Sequence, residues 1–340
     1  MRNGIIAAGS WLVDTVKFIE KYPSSGNLVT IEKIEKGLGG CAHNVLVDLA
    51  RLSANIPLYA GGCIGTDANG DFVMNEIHRY GIDDRYMYRL EDIPTSYTDV
   101  MSEIHGNSSR TFFHFRGANA CFSRNHILPI NVPARIFHLG YLLLLDELDK
   151  ADEQYGIKAA RVLKELQEKG YRTSVDVVSE ESDRFRKILL PCLPYIDYLI
   201  INEVEAGACC GLPLRDSQGM LLPDNVKAAS ASLLQEGVNQ VCAIHFPEGG
   251  YARNKQGEAY LIPSIPVEKN EIVSTVGAGD AFCAGMLYAL HENLPLQEAL
   301  ILANTAARFN LYHATSTGGA PGIDKLKNFI TLNYSSYEKK

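Results

Sequence analysis

The sequence predicts an α/β protein: a doubly wound, mostly parallel sheet carrying a small β-strand lid. Three observations lead there. Short apolar β-rich runs alternate with amphipathic helical patterns along most of the chain, two β-prone excursions interrupt that alternation, and glycine clusters stand directly before helical runs.

The opening "GIIAAGSWLVD" is a β-rich run broken by Gly-Ser, and "NLVTIEKIEKG" alternates charged and apolar residues as a strand with one wet face would. "NVLVDLARL" then has helical spacing, "IPLYAGGCIG" is a strand running into glycines, and "GDFVMNEIHRYGI" is helical with Gly81 as a C-terminal stop. The segment "SYTDVMSEIHGNSSRTFFHF" interrupts this with two β-prone runs around "GNSS", a hairpin pattern. Strands return at "ARIFHLGYLLLL", "YRTSVDVV", "IDYLIIN" and "QVCAIHF", with "YGIKAARVLKELQEKG" and "NVKAASASLLQEG" as helices between them. "GDAFCAGMLYALHENL" and "PLQEALILANTAARFNL" close the chain as two further helices. We read residues 1–340 as a single domain whose two β excursions, roughly 12–38 and 94–118, pair in space as the lid.

With 340 residues the chain can bury a sizeable core, and 46% hydrophobic with 21% charged residues is an ordinary globular composition. The net charge of −8 argues against nucleic acid or an anionic membrane as a general partner. The longest apolar run, "YLLLLD", is too short to span a bilayer, and "MRNGIIAAGSWLVD" lacks a signal-peptide layout, so the expected location is cytoplasmic. Eight cysteines form no CxxC pair and no Cys/His cluster with zinc spacing; the expectation is reduced core residues.

Three stretches carry chemistry. "GAGDAFCAGMLYAL" sets Gly277, Ala278 and Gly279 at a helix start, where unpaired N–H groups can approach an anion. Asp280 there is either an N-terminal cap or a base that takes a proton from a hydroxyl attacking a phosphoryl group. "GLGGCAHNVLVDLARL" opens a second helix, and its Gly39, Gly40 and Asn44 suit either a plain strand-to-helix turn or a small polar ligand against the backbone. "INEVEAGACC" puts Asn202 and Glu205 three apart at a strand's carboxyl end: a capping box by its local pattern, or oxygens for a hydrated Mg²⁺ shell. No GxxxxGK[ST] is present, and "GAGDAF" lacks the third glycine of a dinucleotide fingerprint.

Taken together, "VSTVGAGDAFCAG", "GLGGCAHNV", "NEVEA", "GSWLVD" and "RGANA" resemble, in order and over essentially the whole chain, the signatures of the PfkB carbohydrate kinases, the ribokinase-like sugar kinases. The resemblance implies Asp280 as catalytic base and the N–H groups of Gly277, Ala278 and Gly279 as an anion hole. It assigns Asp14, Gly39, Gly40 and Asn44 to sugar hydroxyls. Asn202, Glu205, Gly250 and Asn304 fall on the nucleotide side, with Glu205 meeting Mg²⁺ through water. ATP and Mg²⁺ are the implied cofactors.

Two departures accompany it. Pro247 in "FPEGGYA" stands where the family's nucleotide loop has its first glycine, and a proline cannot donate a backbone hydrogen bond. Ser274-Thr275 replaces the Asp-Thr of many members, near the monovalent-cation site of potassium-activated relatives, which leaves K⁺ an open cofactor. Arg116, His43 and His114 are read as structural or surface groups. The expected function is an ATP-dependent kinase for a primary hydroxyl of a small sugar or sugar-like compound. A nucleoside kinase with an aromatic wall from "TFFHF" and a non-catalytic sugar-binding protein are the alternatives, and a homodimer through the lid fits any of them.

Overall fold

A computed structural model describes residues 2–52, 55–104, 110–179 and 184–334. The chain opens with β1 (Ile5–Gly9), buried throughout, and passes into a hairpin of β2 (Leu12–Ile19) and β3 (Ile31–Gly39). Then come α1 (Cys41–Leu52), β4 (Leu58–Gly65), α2 (Ala68–Arg79) and β5 (Asp83–Leu90). The second excursion is β6 (Tyr97–Glu103) and β7 (Arg110–Phe115); the "GNSS" expected to turn this hairpin lies outside the described residues.

The short α3 (Arg124–Ile127) leads to β8 (Ile136–Leu142), the two-residue β9 (Ala151–Asp152) and β10 (Gly156–Ile157), α4 (Lys158–Glu168) and β11 (Arg172–Val177). Next are α5 (Arg184–Leu189), β12 (Tyr198–Asn202), α6 (Glu203–Cys210), α7 (Pro223–Gln235) and β13 (Val241–Phe246). A hairpin of β14 (Gly249–Asn254) and β15 (Ala259–Pro263) precedes α8 (Ala278–His291), α9 (Leu296–Asn310) and α10 (Ile323–Asn333).

The main sheet has nine strands in the order β15-β14-β13-β12-β11-β8-β1-β4-β5, all parallel neighbours except the last two additions, β14 and β15, which run antiparallel. Side chains alternate across it. Ile5 and Ala7 of β1 join a core formed with α1, α8 and α9, whereas Ile6 and Ala8 join one formed with α4, α6 and α7. The helix α8 is apolar on nearly every side because it is wedged between α1 and α9. Gly285 permits that closeness, since a Cβ there would stand 2.8 Å from the Ala303 Cα.

The predicted doubly wound sheet and small β lid are both present. The hairpin β14–β15 was not anticipated, because "GGYARN" and "AYLIP" are short and punctuated by Gly and Pro. β8 also stops earlier than its apolar run suggests: Tyr141, near its end, takes φ 60°, and Leu143, just past it, φ 84°.

The lid is a four-stranded sheet, β3-β2-β6-β7, in which β2 runs parallel to β6 and the two hairpin pairs are antiparallel. It rises from the carboxyl end of β1, where the main sheet reverses its winding: β4 and β5 were added on one side and β8, β11, β12 and β13 on the other. Such a switch point opens a crevice beyond the strand ends. No helix among the described residues is long and apolar enough to cross a membrane.

Candidate active site

The crevice is closed from below by the start of α8. Gly277 caps this helix with φ 80°, and a Cβ there would lie 2.1 Å from the Ser316 carbonyl oxygen, so the left-handed turn and the close approach both require glycine. The N–H groups of Gly277, Gly279 and Asp280 find no acceptor among the described residues, whereas that of Ala278 donates to the Thr275 carbonyl at 3.3 Å. Unpaired donors and the helix dipole together make a positive pole there.

Asp280 does not cap its helix with its side chain. Its Oδ2 accepts from Asn44 Nδ2 at 2.7 Å, and the hydroxyl of Tyr141 and the thiol of Cys41 also reach the carboxylate. Burial raises its pKa to about 6, with those three donors opposing the shift. The Asn44 amide is held at its oxygen as well: Oδ1 accepts from Ser316 Oγ at 2.9 Å and stands 2.8 Å from His43 Nδ1.

Above Asp280 the lid presents one cross-strand row. Asp14 on β2 is registered with Thr98 on β6, and Thr98 with His114 on β7. The Thr98 hydroxyl donates to the Asp14 carboxylate, and His114 Nδ1 lies 3.1 Å from Thr98 Oγ1, which assigns the proton to Nδ1. His114 Nε2 is then an acceptor, and it is buried without a partner. Asp14 feels the negative charge of Asp280, and burial first, then that charge, lift its pKa to about 6. Gly39 completes this wall: a Cβ on it would sit 2.3 Å from Asp14 Oδ2, and one on Gly40 (φ 91°) 2.4 Å from the Ser10 carbonyl. The structure thus brings Asp14, Gly39, Gly40, Asn44 and Asp280 together from segments far apart in the chain.

On the other side of the α8 start lies a cavity of about 600 Å³. Phe246, Pro247, Ile265 and Phe282 make its walls largely apolar, Asn304 and Arg308 add polar groups, and Ala278 and Gly279 close its inner end. That size and lining suit a nucleoside-sized ligand. Asn304 donates to the Ile262 carbonyl at 2.9 Å. Gly250 does not line the cavity: it sits behind the wall, where a Cβ would meet Leu300, Phe282 and Asn304, and its neighbour Gly249 faces the space.

Asn202 and Glu205 form the capping box of α6. Asn202 Oδ1 accepts from the Glu205 N–H at 2.9 Å, and Glu205 Oε2 accepts from the Asn202 N–H at 2.9 Å. Ser179 Oγ donates to Glu205 Oε1 at 2.8 Å, so both carboxylate oxygens are engaged. Burial pushes the Glu205 pKa up to about 7 despite those bonds.

Several neighbours went unread in the sequence. Tyr141 takes φ 60°, its hydroxyl reaches Asp280, and its N–H donates to Asp176 Oδ1 at 2.7 Å. A lone acid within the apolar strand "YRTSVDVV" was the available signal for Asp176. Arg116 is held by Leu143 O at 2.9 Å and Asp146 at 2.7 Å, a partly buried tether behind the lid.

An acid at a glycine-built helix start, between a polar pocket and an apolar cavity at a sheet's switch point, defines a small-molecule transferase layout. The chain belongs to the pfkB family of carbohydrate kinases, whose family model matches residues 3–321. It is 22% identical over 330 residues to a deoxyribokinase of Salmonella typhi, covering 97% of this chain and 99% of that one. In structure it is similar to Arabidopsis thaliana ribokinase complexed with ribose and ATP, with a TM-score of 0.78 at 21% identity, covering 97% of this chain and 99% of the other. An E. coli protein solved with ATP and Mg²⁺ aligns with a TM-score of 0.74 at 18% identity, over 97% of this chain and all (100%) of its own.

Proposed function

We propose that the protein transfers the terminal phosphoryl group of ATP to a primary hydroxyl of a small neutral sugar. One observation carries this reading: the Asp280 carboxylate stands between the Asp14 row of the lid and the free N–H groups at the end of the 600 Å³ cavity. A hydroxyl held by the lid row would then meet its base and a cradled phosphoryl group together. Asp14 accepts from sugar hydroxyls, and Gly39 and Gly40 let the sugar lie against the backbone. Asn44 acts mainly by holding Asp280.

Transfer of this kind has a largely dissociative transition state, so positioning and charge stabilisation matter more than base strength. The N–H groups of Gly277 and Gly279 stabilise the migrating phosphoryl oxygens, and Asp280 orients the hydroxyl and takes its proton late. Asn304 and the apolar walls hold the nucleotide, with Gly249 facing it and Gly250 supporting that wall. Mg²⁺ would neutralise phosphate charge, and the engaged oxygens of Glu205 fit contact through water rather than direct ligation. Ser274 removes the carboxylate that many relatives carry near a monovalent cation, so we expect turnover to be equal in K⁺ and Na⁺.

Sugar is favoured over nucleoside by the lid. Of "TFFHF", only Phe112 shares the His114 face, whereas Phe113 and Phe115 project to the opposite one. A coupled ADP-release assay with neutral pentoses, hexoses, sugar acids and nucleosides tests the reading. ADP formed with a neutral sugar supports it, and preference for a nucleoside overturns it. We also place the protein in the cytoplasm, consistent with eight free thiols.

A further inference from the structure

His245 stands near the carboxyl end of β13 and lines the 600 Å³ cavity where Gly279 closes it. A Cβ on Gly279 would lie 3.0 Å from the His245 Cε1 and 3.4 Å from its Nε2, so the ring edge reaches the α8 start through the space that glycine leaves. The ring rests against Phe282, with centroids 5.0 Å apart. Among the described residues neither ring nitrogen has a hydrogen-bond or ion-pair partner. We propose that His245 is a further catalytic residue: its Nε2–H donates to an oxygen of the phosphoryl group in transfer, beside the Gly279 N–H.

The sheet aims the side chain there. Alternate residues of β13 face opposite sides, and Val241 and Ala243 pack in the core shared with α8 and α9. His245 continues that row, so it projects toward α8. Its registered neighbour on β12 is Asn202, which brings the imidazole level with the start of α6 as well.

The chemistry suits a phosphoryl group. A histidine kept for packing alone would have its polar atoms satisfied, because a buried polar group without a bond costs free energy. Burial pulls the His245 pKa down to about 4, so at neutral pH the ring is an uncharged imidazole with one donor and one acceptor. Phosphoryl oxygens are acceptors, and the tautomer that meets them carries its proton on Nε2, the nitrogen next to Gly279. With the ring near 4 and Asp280 near 6, the proton of the attacking hydroxyl goes to Asp280. His245 forms no bond to phosphorus and takes no proton; it is a donor placed where charge must be stabilised.

The contact rests on the ATP-dependent transfer proposed above and deepens it. The migrating group is then gripped from two elements, by backbone N–H groups of α8 and by a side chain of β13. Only the terminal phosphoryl group meets the imidazole, so a nucleoside diphosphate, which lacks that group, gains nothing from it. The identity of the sugar has no bearing on the contact.

Calorimetry with Mg²⁺ compares ADP with AMP-PNP, an ATP analogue that does not transfer its terminal group, on the full-length wild type, His245→Ala and His245→Gln. His245→Ala should weaken AMP-PNP binding by roughly 10- to 100-fold, the span of a hydrogen bond to a charged group, and leave ADP binding nearly unchanged. Glutamine can place an N–H where Nε2 stood, so His245→Gln should recover most of that loss. If His245→Ala weakens both nucleotides alike, or neither, the imidazole only supports the cavity wall; the proposal is overturned and the kinase reading stands. A wild type that binds neither nucleotide overturns both. In NMR of wild-type protein with isotope-labelled histidine rings, the imidazole in contact with the Phe282 ring should gain a hydrogen-bonded Nε2–H with AMP-PNP and not with ADP. Its failure to do so overturns the proposal even where a variant does not fold.

Discussion

The pair Asn44–Asp280 concentrates the chemistry at the residue scale. Local pattern left Asp280 open between helix cap and base, and the structure has its side chain turned away from capping and bonded to Asn44, 236 positions away in sequence. No reading of "GLGGCAHN" alone could find that bond, since it exists only through the packing of α1 on α8. Asp280→Asn should leave ATP binding nearly intact and lower kcat by roughly 10²- to 10⁴-fold, measured by steady-state kinetics and calorimetry. A base must be ionised, so with Asp280 at about 6 the kcat/KM profile should fall as pH drops through that value. Asn44 donates to the charged form and opposes the shift; Asn44→Ala should move this acid limb to higher pH. An unmoved limb would assign the titration to another group.

At the scale of elements, the helix starts were the most legible features and the strand ends the least. The capping box of α6 was readable because Asn202 and Glu205 satisfy each other within one turn. Asn202→Ala should cost about 1 kcal/mol, seen as a lower denaturation midpoint. Gly277 is more demanding: alanine there would need φ 80° and would collide with the Ser316 carbonyl. Gly277→Ala should cost about 1–3 kcal/mol and displace the donors of the α8 start, so activity falls further than stability. The end of β8 shows why other boundaries escaped. "HLGYLLLL" reads as one continuous strand, but Tyr141 is held out of line by Asp176 on β11, a contact between strands that local pattern cannot contain.

At the scale of the molecule, strand–helix alternation was enough to give a parallel sheet with two covered faces. Strand order was not available from it, and the order is what brings Asp14, Asn44, Asp176, Asn202 and Asp280 to one crevice. The lid leaves the edge strands β3 and β7 open, with Ile34, Phe112 and Phe113 more than half exposed at 59%, 60% and 55%. Exposed apolar edges favour pairing, so we expect a dimer in sedimentation equilibrium that Phe113→Glu shifts toward monomer. The central claim concerns the whole assembly of lid, base and cavity. ADP release across sugars and nucleosides, run in parallel for the wild type and Asp280→Asn, tests it most directly. The account predicts turnover with a neutral sugar that Asp280→Asn nearly abolishes; tight sugar binding without ADP release, or near-native turnover by Asp280→Asn, would contradict it.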